Sequence, residues 1–180
     1  MGCVYSGQIL SYTKILGQLT GSGNTITLSH YLDLLDQAGL LAGIEKYSPT
    51  KLRQRSSSPK FQVHNTALIA AQRHETIQMV SAIPDLLGRM VESAIGAHLL
   101  NHSITQGYKL YYWRDRNYEV DFILEKNGRT IGLEVTTSET HKRRGMQAFQ
   151  NLYHPDKVLM VGTSGIPWQD FLAVNPETLF

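Results

Sequence analysis

The stretch that decides the fold is YEVDFILEKNGRTIGLEVT, residues 118–136. Apolar and polar side chains alternate in both halves of it, which is the pattern of β-strands that bury one face. The dipeptide Asn127-Gly128 separates the two halves, and it is the strongest short-range signal for a two-residue hairpin turn. We therefore predict a β-hairpin whose strands flank residues 127–128.

A turn of this kind also predicts the register of the two strands. It pairs Lys126 with Arg129, and the same register places Asp121 opposite Glu134. Directly opposed side chains have Cβ atoms about 4.5–5.5 Å apart, so two carboxylates at such positions repel each other. A divalent cation would remove the conflict, and Mg²⁺ is usually held by one or two carboxylates with water and substrate phosphates. Gly132 on the same face leaves room for a ligand, so the pair predicts a Mg²⁺ site.

A third carboxylate precedes the hairpin. Residues 85–101 have the spacing of a helix, with Val91, Ile95 and Leu99 on its apolar side. Glu92 borders that side rather than facing open solvent. It is either a solvated residue at the edge of the apolar stripe or a third acid of the same site.

The N-terminal part of the chain predicts a different arrangement. Apolar spacing favours a helix over residues 5–20, a short turn that Asn24 or Thr25 caps, a second helix that starts at Ser29 and ends at Gly39, and strands over residues 40–44 and 61–64. Two helices followed by a hairpin are typical of a winged helix, whose second helix enters the major groove of DNA.

Basic residues gather between the two predicted N-terminal strands, where a winged helix touches phosphates. They are Lys51, Arg53, Arg55 and Lys60. The predicted second helix, however, carries two Asp residues and no Lys or Arg, a composition that disfavours phosphate binding. A solvated basic loop is therefore the alternative to a nucleic-acid contact.

Composition excludes several classes of protein. The chain has 180 residues, one cysteine and a formal net charge of +2, which is too small to indicate nucleic-acid binding by itself. A single cysteine excludes an internal disulfide framework and a Cys-rich zinc module. No apolar run approaches the ~18 residues that a membrane-spanning helix needs, and no signal peptide is visible. These features predict a cytoplasmic protein with no membrane partner.

The hairpin with its two acids resembles the PD-(D/E)XK restriction-endonuclease-like fold, in which a helix bearing an acid precedes a hairpin that carries Asp and then Glu-x-Lys. More closely, residues 111–114 (YYWR), 119–125 (EVDFILE) and 133–135 (LEV) resemble the uncharacterised C-terminal domain of a large group of prokaryotic AAA+-type ATPases. Residues 88–92 (GRMVE) fit the start of that domain, and residues 28–41 resemble the winged-helix piece that precedes it.

The resemblance implies an α/β fold class, with a mixed sheet flanked by helices and preceded by a small winged-helix-like domain. The implied divisions are a winged-helix-like domain over residues 1–66, a helical connector over residues 67–84, and a nuclease-like α/β domain over residues 85–180. Within the last of these, the residue pattern predicts a strand over 108–113, a helix over 138–153 and a strand over 157–162.

The resemblance also implies metal-assisted hydrolysis of phosphodiester bonds. Asp121 and Glu134 would hold Mg²⁺ together with the Val135 carbonyl. Glu92 would hold a water or a second ion, and Arg114 would position a phosphate.

Two departures from these families change the expected activity. Thr136 stands where the Lys of Glu-x-Lys is expected, and losing one such electrostatic group typically lowers a rate by about 10²–10³. Lys142, on the next predicted helix, is a candidate substitute. The chain also has no Gly-x-x-x-x-Gly-Lys-Ser/Thr loop and hence no ATP site of that kind. It looks like a C-terminal fragment whose ATPase is a missing N-terminal module or a separate partner.

Three functions remain open. The favoured one is a nucleic-acid- or partner-binding module of an AAA+-type ATPase protein with a degenerate nuclease-like site, because Thr136 replaces the lysine. The second is an active Mg²⁺-dependent DNA endonuclease in which Lys142 takes over that role. The third is a structural remnant of a truncated ATPase, without activity.

Overall fold

The computed structural model describes residues 5–18, 23–50, 57–73, 76–136 and 143–180. Four of the predicted site residues, Lys51, Arg53, Arg55 and Lys142, lie outside these ranges. Among the described residues, no helix is both long and apolar enough to cross a membrane.

The elements follow one another along the chain in a mixed order of helices and strands. They are α1 (Tyr12–Leu16), α2 (Thr25–Gln37), β1 (Leu41–Lys46), β2 (Lys60–Val63), α3 (Ala67–Gln72), α4 (Ile77–Ala82), α5 (Pro84–Gln106), β3 (Lys109–Asp115), β4 (Tyr118–Lys126), β5 (Arg129–Thr136), α6 (Arg143–Tyr153), β6 (Lys157–Gly162), α7 (Trp168–Ala173) and a 3₁₀ helix (Pro176–Leu179).

The strands form a six-stranded mixed sheet in the order β2-β1-β3-β4-β5-β6. Three neighbouring pairs are antiparallel, β1 with β2, β3 with β4 and β4 with β5, whereas β1 with β3 and β5 with β6 run parallel. The predicted α/β fold class, a mixed sheet flanked by helices, is therefore confirmed. Strands from both sides of the predicted division after residue 66 share this sheet, and the winged-helix-like domain and its boundaries stay a prediction.

The central hairpin has the predicted turn and register. Lys126 pairs with Arg129, and Phe122 pairs with Leu133 further along the strands. Asn127 and Gly128 have φ angles of 52° and 79°. Positive φ at both turn residues is what a type I′ hairpin requires, and Asn-Gly tolerates it best. The strand β6 and the long helix α5 also lie where the sequence predicts them.

The prediction of a helix over residues 5–20 is wrong for its first half. The helix α1 begins at Tyr12, and before it Ile9 forms an antiparallel bridge with Lys60 of β2. The main-chain N–H of Gly7 donates to Phe61 in the same strand, at 2.8 Å. Apolar periodicity alone does not reveal that a distant strand edge binds this segment.

The second helix starts earlier than its predicted start at Ser29. It spans Thr25–Gln37, because the side chain of Asn24 caps it by accepting a hydrogen bond from the Thr27 N–H at 2.8 Å. Asn is among the best N-cap residues. The helix ends as predicted, before Gly39 with a φ of 68°.

Helices cover both faces of the sheet. On one face, Val91, Ile95 and Leu99 of α5 pack against Phe122 and Leu133. The burial of these side chains fixes α5 across the strands β4 and β5, with its acid-bearing first half near the start of β4.

The helix α6 covers the opposite face. Its Met146 and Phe149 pack against Trp113, Val120 and Ile123. Trp113, which precedes the central hairpin, is thus part of the core.

We expect Gly96→Ala to destabilise the protein, because α5 approaches β2 closely at this position. A Cβ atom at Gly96 would lie 2.0 Å from Gln62 Oε1 and 2.9 Å from the Phe122 ring. Overpacking a tight core costs about 1–3 kcal/mol in the free energy of unfolding, which urea denaturation measures. Gly17→Ala is the matched control, since its Cβ would make an ordinary 3.6 Å contact. Equal stability of the two variants would contradict this packing.

Candidate active site

An open cavity of about 650 Å³ lies beside the starts of β4 and α6 and the first half of α5. The predicted acids Glu92, Asp121 and Glu134 all line it, although they come from three different elements. Asp121 and Glu134 lie on neighbouring strands, next to Phe122 and Leu133, which form the last residue pair of the hairpin at this end, and the packing of α5 adds Glu92. Their catalytic and metal-binding roles stay predictions.

The carboxylate of Asp121 is held between the two strands of the hairpin. Its Oδ2 accepts a hydrogen bond of 2.8 Å from the main-chain N–H of Val135. Asp121 and Glu134 are only 3% and 2% exposed, and Thr136 is also buried. The Val135 N–H therefore orients Asp121, while the predicted role of the Val135 carbonyl stays a prediction.

The sequence predicts Lys60 in a basic segment that touches phosphates, with a solvated loop as the alternative, but the structure buries Lys60 next to these acids. Its side chain is 0% exposed, and its Nζ lies 2.6 Å from Glu92 Oε1 and 3.7 Å from Asp121 Oδ1. The same Nζ donates to the main-chain oxygen of Asp121 at 3.2 Å and lies 4.7 Å from the centre of the Phe122 ring. The reason is that Lys60 begins the strand β2, whose four residues are all buried.

The electrostatics of the site keep Lys60 charged. Burial alone would lower the pKa of this amine, because it disfavours the ammonium form. The nearby carboxylates of Glu92 and Asp121 outweigh that effect, so the pKa of Lys60 is raised above its usual value. At neutral pH Lys60 is thus a fixed positive charge and cannot serve as a general base.

Arg114 does not line the cavity, in contrast to the role that the resemblance implies for it. Its side chain is about half exposed, and its Nε lies 3.8 Å from Glu119 Oε2. Two other arginines, Arg116 and Arg144, line the cavity instead. Arg116 lies in the tight turn between β3 and β4, with a φ of 52°. In the sequence, only the short polar segment between two strand patterns indicates that Arg116 lies in a turn.

Arg144 reaches the cavity because α6 begins very close to β4. A Cβ atom on the neighbouring Gly145 would lie 2.1 Å from the main-chain oxygen of Glu119. Only glycine permits this approach. The sequence places Arg144 among basic residues at the start of a helix, but it does not show which strand that helix meets.

The donor groups fit Mg²⁺ in its usual mode of binding. Within the ranges that the structure describes, no group of three or more His, Cys, Asp or Glu side chains is arranged to hold a metal ion. A closed zinc or calcium site built from those residues does not fit this arrangement. Two carboxylates beside an open cavity do fit Mg²⁺, which keeps several waters and binds substrate phosphates.

A comparison with protein families matches residues 87–176 to a domain of unknown function (DUF4143). The chain belongs to this family. DUF4143 domains are typically found in AAA-type ATPase proteins. Searches of curated proteins and of solved structures find no significant match to this chain. The matched range contains Glu92, Asp121 and Glu134, but Lys60 lies before it.

We expect Lys60→Met to lower the free energy of unfolding by roughly 3 kcal/mol. Removing one partner of a buried ion pair typically costs 3–5 kcal/mol, and Glu92 is 18% exposed, which places the effect at the lower end. Adding Glu92→Gln to Lys60→Met should restore part of the lost stability, because the Glu92 carboxylate no longer has the Lys60 ammonium beside it in that variant. Lys109→Met, on an exposed position of β3, is the control and should change stability by no more than about 0.5 kcal/mol.

We also expect the difference in stability between wild type and Lys60→Met to depend on pH. The contribution of Lys60 is present below the pKa of a lysine in the unfolded chain, about 10.4, and is lost as the pH rises through the higher pKa of the folded protein. The difference between wild type and Lys60→Met, measured by urea denaturation, should therefore shrink only at strongly alkaline pH. A difference that is absent at pH 7 would contradict the buried ion pair.

Proposed function

We propose that this cavity is a site for metal-dependent hydrolysis of phosphodiester bonds in a nucleic acid, within an ATPase-associated protein. The observation that carries the proposal is the pair of buried carboxylates on neighbouring strands, Asp121 and Glu134, in one open cavity with two arginines. The carboxylates suit a divalent cation, and the arginines suit phosphate oxygens.

The two sets of charges have complementary tasks in this proposal. Mg²⁺, when bound, would polarise the phosphoryl group and lower the pKa of an attacking water. Asp121 and Glu134 would hold the cation, and the Val135 N–H keeps Asp121 in place for this. Arg144 and Arg116 would pair with the phosphate and offset the charge that develops on it.

Arg144 supports hydrolysis over binding alone. Thr136 cannot supply the charge that the resemblance assigns to a lysine at that position. Arg144 lines the same cavity as Asp121 and Glu134, and the planar guanidinium matches the geometry of phosphate oxygens. The cavity therefore holds a cationic group that can reach a phosphate without the motif lysine.

Nucleic-acid binding without hydrolysis is the second candidate. Thr136 at the motif position favours it, and so does the lack of a third His, Cys, Asp or Glu metal ligand within the described residues. A partner ATPase, in the same protein or in a separate chain, fits the family to which this chain belongs and stays part of the proposal.

We expect the wild-type protein to cleave DNA slowly with Mg²⁺ or Mn²⁺, and Asp121→Asn to lower the rate by about 100-fold or more, as expected for the loss of one electrostatic group. The assay uses duplex, single-stranded and branched DNA. Asp170→Asn, an exposed position in α7, is the matched control and should keep the wild-type rate. Thr136→Lys should raise the rate, because it adds the charge that the motif normally carries.

The same proteins separate the two candidates. If the wild-type protein is inert but Thr136→Lys cleaves DNA, the site is degenerate. DNA binding that weakens with rising salt and is not followed by cleavage would show the same. Folded proteins that neither cleave nor bind DNA would contradict both candidates.

A further inference from the structure

Lys60 links two elements that carry acids of the site. Its Nζ lies 2.6 Å from Glu92 on α5 and donates to the main chain of Asp121 on β4. It reaches them from β2, in a part of the chain that precedes the family match at residues 87–176. The site as the structure presents it is therefore built by both parts of the chain.

The backbone around Lys60 is held on both sides. Lys60 pairs with Ile44 of β1, and the preceding Pro59 accepts a hydrogen bond of 3.2 Å from the Leu10 N–H. Two residues further on, on the same side of β2, Gln62 donates to the main-chain oxygen of Ser93 in α5 at 2.9 Å. Lys60 thus enters the acid cluster from a fixed strand rather than from an adaptable loop.

The Lys60 ammonium acts on the acids and not on a substrate. It is fully buried and does not line the cavity, whereas Glu92 and Asp121 line it. A phosphate in the cavity would meet the carboxylates and Arg144, with the ammonium behind them. Lys60 therefore has a different task from a lysine that touches the phosphate.

We propose that Lys60 is a positioning residue that keeps Glu92 and Asp121 together before a divalent cation binds, and that its positive charge thereby moderates the affinity of the site for that cation. Carboxylates that share a site repel each other, and the ammonium offsets this repulsion. The same charge also repels an incoming cation. The arrangement therefore lowers the affinity for the metal but keeps the acids in place before the metal binds. This inference rests on the proposed function.

The test measures Mn²⁺ binding by calorimetry on the full chain, without nucleic acid. Lys60→Met should bind Mn²⁺ about tenfold more tightly than wild type, because a positive charge next to the site is gone. Its DNA cleavage at saturating Mn²⁺ should be about tenfold slower, since the acids are no longer held in place. A purely structural role of Lys60 predicts that metal binding and cleavage both weaken. The exposed Lys109→Met is the control and should change neither.

A second comparison serves if Lys60→Met does not fold. Glu92→Gln removes the carboxylate that the ammonium contacts most closely, and the double variant Lys60→Met/Glu92→Gln removes both charges. The double variant should bind Mn²⁺ more tightly than Glu92→Gln alone. Equal or weaker binding would overturn the inference while leaving the proposed function intact. If wild type binds no Mn²⁺, the proposed function fails, and the inference fails with it.

Discussion

The buried contact between the Lys60 ammonium and the carboxylates of Glu92 and Asp121 is the interaction on which the site depends. Burying any one of these charges alone would carry a large desolvation penalty, whereas the attraction between opposite charges offsets much of that penalty. The contact joins β2, α5 and β4, three elements that are distant in sequence. A shift of any one of them would leave a charge buried without its partner, so the position of β2 is coupled to the geometry of the acids.

The rest of the site follows from the central sheet. The type I′ turn at residues 127–128 determines the register of β4 and β5, which pairs Phe122 with Leu133 and so puts Asp121 and Glu134 next to that pair on neighbouring strands. The helices α5 and α6 cover opposite faces of these strands and leave an open cavity beside their acid-bearing ends. Arg144 enters this cavity because Gly145 permits α6 to begin against β4.

The parts that sequence predicted well are those with a local cause. A two-residue turn determines register, so the pairing of the hairpin could be read from Asn127-Gly128. Lys60 could not be placed in the same way, because it follows a basic and serine-rich segment, while its partners lie more than thirty residues away. The apolar pattern over residues 5–20 predicts too long a helix for a related reason, because Ile9 forms a bridge with a strand far along the chain.

Membership of a family typical of AAA-type ATPase proteins gives the site a context but not a reaction. The central claim is that Glu92 and Asp121 contact a buried ammonium and, together with Glu134, line a cavity suited to a divalent cation. A crystal structure of the protein grown with Mn²⁺, with anomalous data, tests it most directly. Our account predicts an anomalous peak at Asp121 and Glu134, with the Lys60 ammonium still in contact with Glu92. A Lys60 side chain extended into solvent, or Mn²⁺ bound only elsewhere, would contradict it.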